Sequence, residues 1–167
     1  RGYIACIYAA ADSKDDTEEY SRIWAGQYDF TRLMRRAYGT FAAIDYLHQL
    51  PEVNKEQIAL TGHSRNGKLA LQAAAFDERI KAVVSSSGGT GAEVPWRYTT
   101  HHYDVEDIAL LSTAQPAWLH PRLRFFIGQE DKLPIDQNSL MALIAPRGLL
   151  LSTATTESAS NPWADEQ

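Results

Sequence analysis

The heptapeptide Gly62-His63-Ser64-Arg65-Asn66-Gly67-Lys68 lies between a short apolar run and an alanine-rich run. Its form is G-x-S-x-x-G, one residue longer than the G-x-S-x-G of a nucleophile elbow, where a serine occupies a sharp turn between a strand and a helix. Such a bend lifts the hydroxyl clear of the sheet so that a carbonyl can approach it. Gly62 suits the bend because a larger side chain would crowd it. Asn66 stands where the second glycine usually falls, and Gly67 comes one place later. Average Gly and Ser usage produces a pattern this loose by chance in about one chain in twenty, so the flanks must decide.

Before the motif, Pro51 to Gln57 reads as a turn and Ile58-Ala59-Leu60-Thr61 as a buried strand. After it, Lys68 to Phe76 is built mostly from strong helix formers. Asp77-Glu78-Arg79 ends that helix, and Ile80 to Val84 is a further run, apolar except for Lys81. Strand, elbow, helix and strand in this order are what an α/β-hydrolase requires. The competing reading is an ordinary serine in a β-to-α turn.

The rest of the chain alternates in the same way. Gly2 to Ala9 reads as an apolar and aromatic strand, with Cys6 packed inside it, and Asp12 to Gln27 as an acidic, solvated loop. Asp29 to Leu50 reads as a long amphipathic helix with the stripe Phe30, Leu33, Met34, Ala37, Phe41, Ile44 and Leu47, stopped by Pro51. The strand Ile80 to Ser86 leads into a long irregular stretch, Gly88 to Pro121. Arg122 to Ile127 fits either a strand or a helix. Gln137 to Ala145 reads as helical and Arg147 to Thr153 as a strand. This alternation predicts an α/β fold with a mostly parallel sheet and helices on both faces.

At 167 residues the chain is one domain at most, and its 44% hydrophobic content supplies a core. The 21 acidic and 16 basic residues contain no Lys/Arg block, which argues against nucleic acid as a partner. The apolar runs are too short for a membrane-spanning helix. A single cysteine allows no internal disulfide and leaves the compartment open.

G-H-S-R-N-G-K with its alanine-rich helix, Asp77-Glu78-Arg79-Ile80, Gly89-Thr90-Gly91 and Trp96-Arg97 together resemble the glucuronoyl esterase family of carbohydrate esterases. Leu133-Pro134-Ile135-Asp136-Gln137, Leu143-Ile144-Ala145-Pro146-Arg147 and Trp163 extend the resemblance to the chain end. That family's elbow carries the same displaced glycine. The resemblance implies an α/β-hydrolase that cleaves the ester between a glucuronic acid carboxyl on xylan and a lignin alcohol, with no metal or organic cofactor. Secretion or a periplasmic site is suggested by the resemblance alone. Esterases on other carbohydrate esters, such as acetylated xylan, remain an alternative, as does an inactive hydrolase fold that binds sugar.

Ser64 would be the nucleophile, activated by a histidine that a carboxylate orients. The Arg65 N–H, following the nucleophile, would donate to the oxyanion. By resemblance the Arg65 guanidinium turns toward the same oxygen, Lys68 touches sugar hydroxyls and Trp163 packs on the sugar. The plain alternatives are a surface arginine, a solvated lysine and an interface tryptophan. Many relatives carry the triad glutamate where this chain has Ser87. The acid is therefore expected in the loop after Leu149 to Thr153, at Glu157, with Glu93 and Asp131 behind it. In this fold the histidine follows the acid, yet none of His48, His63, His101, His102 and His120 follows Glu157. His48 is expected at the surface and His63 packed beside Ser64. His120 could complete a triad only with Glu93. Relatives place the base beyond the last residue here, so residues 1–167 are expected to form a single partial domain. It would carry the nucleophile and acid without the base or the first strands of the sheet.

Overall fold

A computed structural model describes residues 2–8, 31–99 and 105–156. The loop expected at Asp12 to Gln27 lies outside them. Three parallel strands form the sheet in sequential order: β1 (Ala59–His63), β2 (Ala82–Ser86) and β3 (Gly148–Ser152). The register pairs Leu60 with Val83 and Val83 with Leu149. Parallel neighbours need a crossover. Between β1 and β2 it is α2 (Arg65–Phe76), which packs on both strands.

Helix α1 (Arg32–Leu47) stacks on α2. Thr31 starts it, its hydroxyl accepting from Met34 N at 3.1 Å, a cap contributing about 1 kcal/mol. The predicted stripe is the buried side, with Leu33, Ala37 and Ile44 at most 3% exposed. Helix α4 (Gln137–Ala142) also packs on α2. Ala70, Leu71, Ala73 and Ala74 of α2 are wholly buried with Ile80, Val83 and Ile144. Alanine lets α2 approach the sheet and two helices at once. The opposite sheet face shows Thr61, His63 and Leu150 exposed and carries no packed helix among the described residues.

Three expectations need correcting. Residues 2–8 form no strand: none of the described strands pairs with them, and Tyr3 and Ile7 are almost fully exposed. Cys6 is exposed for the same reason. Tyr8 still reaches α1, its hydroxyl 2.6 Å from Thr40 Oγ1. Second, the stretch after β2 is not irregular throughout. It contains a 3-10 turn at Trp96–Tyr98 and the short helix α3 (Ile108–Ala114), capped by Asp107, whose carboxylate accepts from Leu110 N at 2.6 Å. Pro121–Phe126 is a 3-10 helix, which resolves the strand-or-helix ambiguity. Third, His48 is half-buried with its Nε2 enclosed, not a surface residue.

A second cluster, Leu33, Trp96, Ile108, Leu111, Trp118 and Leu133, joins the start of α1 to the excursion between β2 and β3. Asp136 binds that excursion together, its carboxylate accepting from Trp96 N at 2.9 Å, Arg97 N at 3.1 Å and Gln137 N at 2.8 Å. Arg97 donates to Leu133 O as well. No helix among the described residues is long and apolar enough to cross a membrane.

Candidate active site

Ser64 lies between the end of β1 and the start of α2 at φ 55° and ψ −126°. A non-glycine residue held there stores about 1–3 kcal/mol of strain. The backbone pays out this bend while still paired, since Ser64 N donates to Ser86 O at 2.8 Å. Serine is a favoured N-cap, yet the Ser64 side chain makes no capping bond and is exposed. Its hydroxyl is therefore not consumed by the helix.

The two glycines have separate reasons. A Cβ on Gly62 would lie 2.0 Å from Asn66 O, inside the first turn of α2 that folds back over the strand end. A Cβ on Gly67 would lie 2.8 Å from Ser85 Oγ and 3.2 Å from Gly88 Cα. Position 67, not 66, faces β2 and its following loop, and Asn66 is exposed. The displaced glycine is thus where the helix meets its neighbour.

Two cations follow Ser64 in the first turn of α2. Arg65 is half-buried, its guanidinium 5.6 Å from the Trp118 ring centroid, within cation–π range. It has no hydrogen-bond or ion-pair partner among the described residues. Its backbone N–H belongs to the first turn, where no earlier helical carbonyl can accept it. Lys68 is the opposite case, 2% exposed. Its ammonium donates to Gly88 O at 2.5 Å, Thr90 O at 2.7 Å and Glu106 Oε2 at 2.8 Å. Three donors meet three acceptors. The expected contact to sugar hydroxyls would require one of these bonds to be exchanged, because the ammonium has no fourth hydrogen.

The loop that Lys68 holds begins at Ser87, the second non-glycine residue at positive φ (49°), at the tip of the adjacent strand. Ser87 N donates to Ser152 O at 2.9 Å, joining this tip to β3. Glu93, one of the minor acid candidates, is 1% exposed and accepts from Ser85 Oγ and Gly88 N, both at 2.7 Å. Its two oxygens lace the loop from inside. Asp131, the other, is exposed in the 3-10 turn Glu130–Lys132.

Glu157, Trp163, His101 and His102 lie outside the described residues. His63 is exposed on β1, its Nδ1 3.2 Å from Ser86 Oγ, so it bonds its register partner and is not packed beside Ser64. His120 Nδ1 accepts from Arg122 N at 3.2 Å at the head of a 3-10 helix. Neither contact involves the Ser64 hydroxyl. No group of three or more His, Cys, Asp or Glu able to hold a metal occurs among the described residues. Sequence reasoning missed Trp118 and Glu106. Neither belongs to a local motif; both become visible only when the excursion folds over α2.

A strained serine at the tip of a parallel strand, with the next helix crossing back over the same sheet, defines an α/β-hydrolase. The family model described as "Glucuronyl esterase, fungi" matches residues 4–165. The chain belongs to that family. It is 36% identical over 129 residues to carbohydrate esterase MZ0003 of an unknown prokaryotic organism, covering 77% of this chain and 28% of that protein. It is also 36% identical over 118 residues to a 4-O-methyl-glucuronoyl methylesterase of Phanerochaete carnosa, covering 68% and 29%. Among solved structures, a promiscuous CE15 esterase from a marine bacterial metagenome superposes with a TM-score of 0.79 at 28% identity, over 89% of this chain and 38% of that one. A glucuronoyl esterase from Solibacter usitatus gives 0.75 at 31%, over 84% and 36%. The chain therefore spans under a third of the length of those two curated relatives.

Proposed function

We propose that this chain carries the nucleophile of a serine carboxylic-ester hydrolase acting on carbohydrate esters, foremost glucuronoyl esters such as 4-O-methyl-glucuronate esters of xylan. The observation that carries the reading is the Ser64 bend, with a hydroxyl that makes no helix-capping bond and, beside it, an Arg65 unpaired among the described residues. Family membership and the names of the relatives supply the substrate class.

In this reading Ser64 Oγ attacks the ester carbonyl carbon as a histidine base takes its proton. The negative charge that develops on the carbonyl oxygen meets the Arg65 N–H and guanidinium. The tetrahedral species collapses, the C–O bond to the alcohol breaks, and the alcohol leaves with the proton. Water then cleaves the acyl-serine and releases the uronic acid. Glu157 is the proposed carboxylate that orients the histidine, and Trp163 the proposed platform for the sugar. Lys68 enters as the side chain that fixes the loop after β2, its sugar contact depending on exchange of one of its three bonds.

The test uses the protein expressed from its complete reading frame. A fluorophosphonate probe should label Ser64, with labelling lost in Ser64→Ala; labelling that survives refutes the nucleophile. Benzyl glucuronate should release alcohol faster than acetylated xylan releases acetate, and the reverse ranking would move the substrate class to acetyl esters.

A further inference from the structure

We infer that Trp118 is a positioning residue: its indole face fixes the Arg65 guanidinium beside the nucleophile without consuming any of that group's N–H donors. This rests on the reading of Arg65 as an oxyanion donor.

A guanidinium can be oriented by a carboxylate, by carbonyls or by an aromatic face. The first two occupy the donors that a developing oxyanion needs. Leu133 O accepts from the Arg97 guanidinium in that way, and Asp45 and Asp77 hold Arg79. Arg65 has neither kind of partner among the described residues, only the Trp118 ring at 5.6 Å. An attraction between cation and π-face acts perpendicular to the guanidinium's in-plane N–H bonds when the planes stack, so it restrains the group and leaves the donors available. The alternative, a charged side chain waving in solvent, would have to be ordered at each turnover.

The ring itself is firmly held. Trp118 is 9% exposed within the cluster of Leu33, Trp96, Ile108, Leu111 and Leu133. Its N–H donates to Gln115 O at 3.0 Å through the backbone, and the preceding Ala117 O accepts from Arg32 N at 3.0 Å at the start of α1. Its indole Nε1 is buried without a partner among the described residues, so packing alone sets the ring plane. The excursion between β2 and β3 thereby delivers a rigid aromatic surface to the first residue of α2.

The experiment is a double-mutant cycle on benzyl glucuronate hydrolysis by the protein from its complete reading frame. Arg65→Met should lower kcat about 100-fold with KM changed less than about threefold, the size expected for one oxyanion donor. Trp118→Leu should lower kcat about tenfold with little change in KM, and Trp118→Phe, which keeps a face, should restore most of that loss. In the Arg65→Met background Trp118→Leu should change kcat by less than about twofold, since the group it positions is gone. Melting curves identify any unfolded variant, and Trp118→Met, which also lacks an aromatic face but fills more of the space, carries the cycle if Trp118→Leu melts below the assay temperature. An equal loss of kcat from the Trp118 variant in both backgrounds overturns the inference while leaving Arg65 in place. A normal kcat for Arg65→Met removes the oxyanion role itself, and the inference with it.

Discussion

Arg65 and Lys68 sit on one turn of α2, carry the same charge and come from one motif, yet the fold uses them in opposite ways. Lys68 points inward and loses every donor to protein oxygens, two of them loop carbonyls. Arg65 lies against an aromatic face, and none of its donors is taken by the described residues. A buried ammonium with all three hydrogens satisfied and an anion at 2.8 Å is a strut, whose removal strands several acceptors. In the proposed reading a guanidinium steadied by a ring is a tool, and its removal should leave the fold intact. Charge in a motif thus says little about role until the partners of each hydrogen are known.

The strongest way to break this comparison is to remove the bend that both cations share. Gly62→Ala would put a methyl 2.0 Å from Asn66 O, a backbone atom that cannot swing aside. We expect a loss of about 4 kcal/mol or more, in the range of severe backbone and overpacking changes, together with loss of Ser64 labelling. A variant that melts normally and still labels would mean that α2 does not start where the structure puts it.

Next in size is the contrast itself. Lys68→Met should cost about 3 kcal/mol, because Glu106 and two carbonyls lose a buried charge partner, seen as a fall in melting temperature of about 10 °C. Arg65→Met should leave the melting temperature within about 2 °C, since it removes no hydrogen bond and a half-buried stacking contact only. If the two variants melt alike, the division into strut and tool is wrong.

Glu106→Gln sharpens the same point. It keeps an acceptor opposite Lys68 but removes the charge, with the lysine side chain only 3% exposed against 30% for the glutamate. We expect about 1–2 kcal/mol, persisting in 1 M NaCl because an enclosed pair is weakly screened. Disappearance of the difference at high salt would place the pair at the surface.

What the sequence revealed follows the same line between local and distant partners. The elbow, both of its flanking strands and the α1 stripe were legible because each is written in adjacent residues: Gly62 against Asn66, Leu33 above Ala37. Even the displaced glycine had a local logic, one turn of helix setting position 67 against β2. Lys68 reads from the motif as reaching outward because two of its three acceptors are backbone carbonyls, at Gly88 and Thr90, which no side-chain pattern announces. Helix α3 carries a local signal too, Asp107 directly before Ile108 being an N-cap ahead of an apolar run. Residues 2–8 had the composition of a strand, but a strand is made by its neighbour, and none lies beside them among the described residues. The same holds for Trp118, whose importance depends on a fold that brings it over Arg65.

The smallest expected effect lies at the far end of the sheet, where a third arrangement of a cation serves as a reference for both others. Arg79 clasps Asp77 through Nε at 2.8 Å and Nη2 at 2.7 Å and reaches Asp45 on α1 at 2.6 Å. Hydrogen bonding from Arg79, opposed by burial, holds the Asp77 carboxyl below its ordinary value. A carboxylate with a depressed folded-state pKa stabilises the fold above its unfolded pKa, near 3.9, and that contribution is lost as pH falls through the folded value. Asp77→Asn should therefore cost about 1 kcal/mol at pH 7, and its stability should converge on that of the parent as pH drops below about 4. Chemical denaturation at a series of pH values would measure it. A gap that stays constant into acid would mean that Asp77 acts through its shape at the end of α2 and not through its charge, leaving Lys68 as the cation among these three whose electrostatic pairing holds the fold.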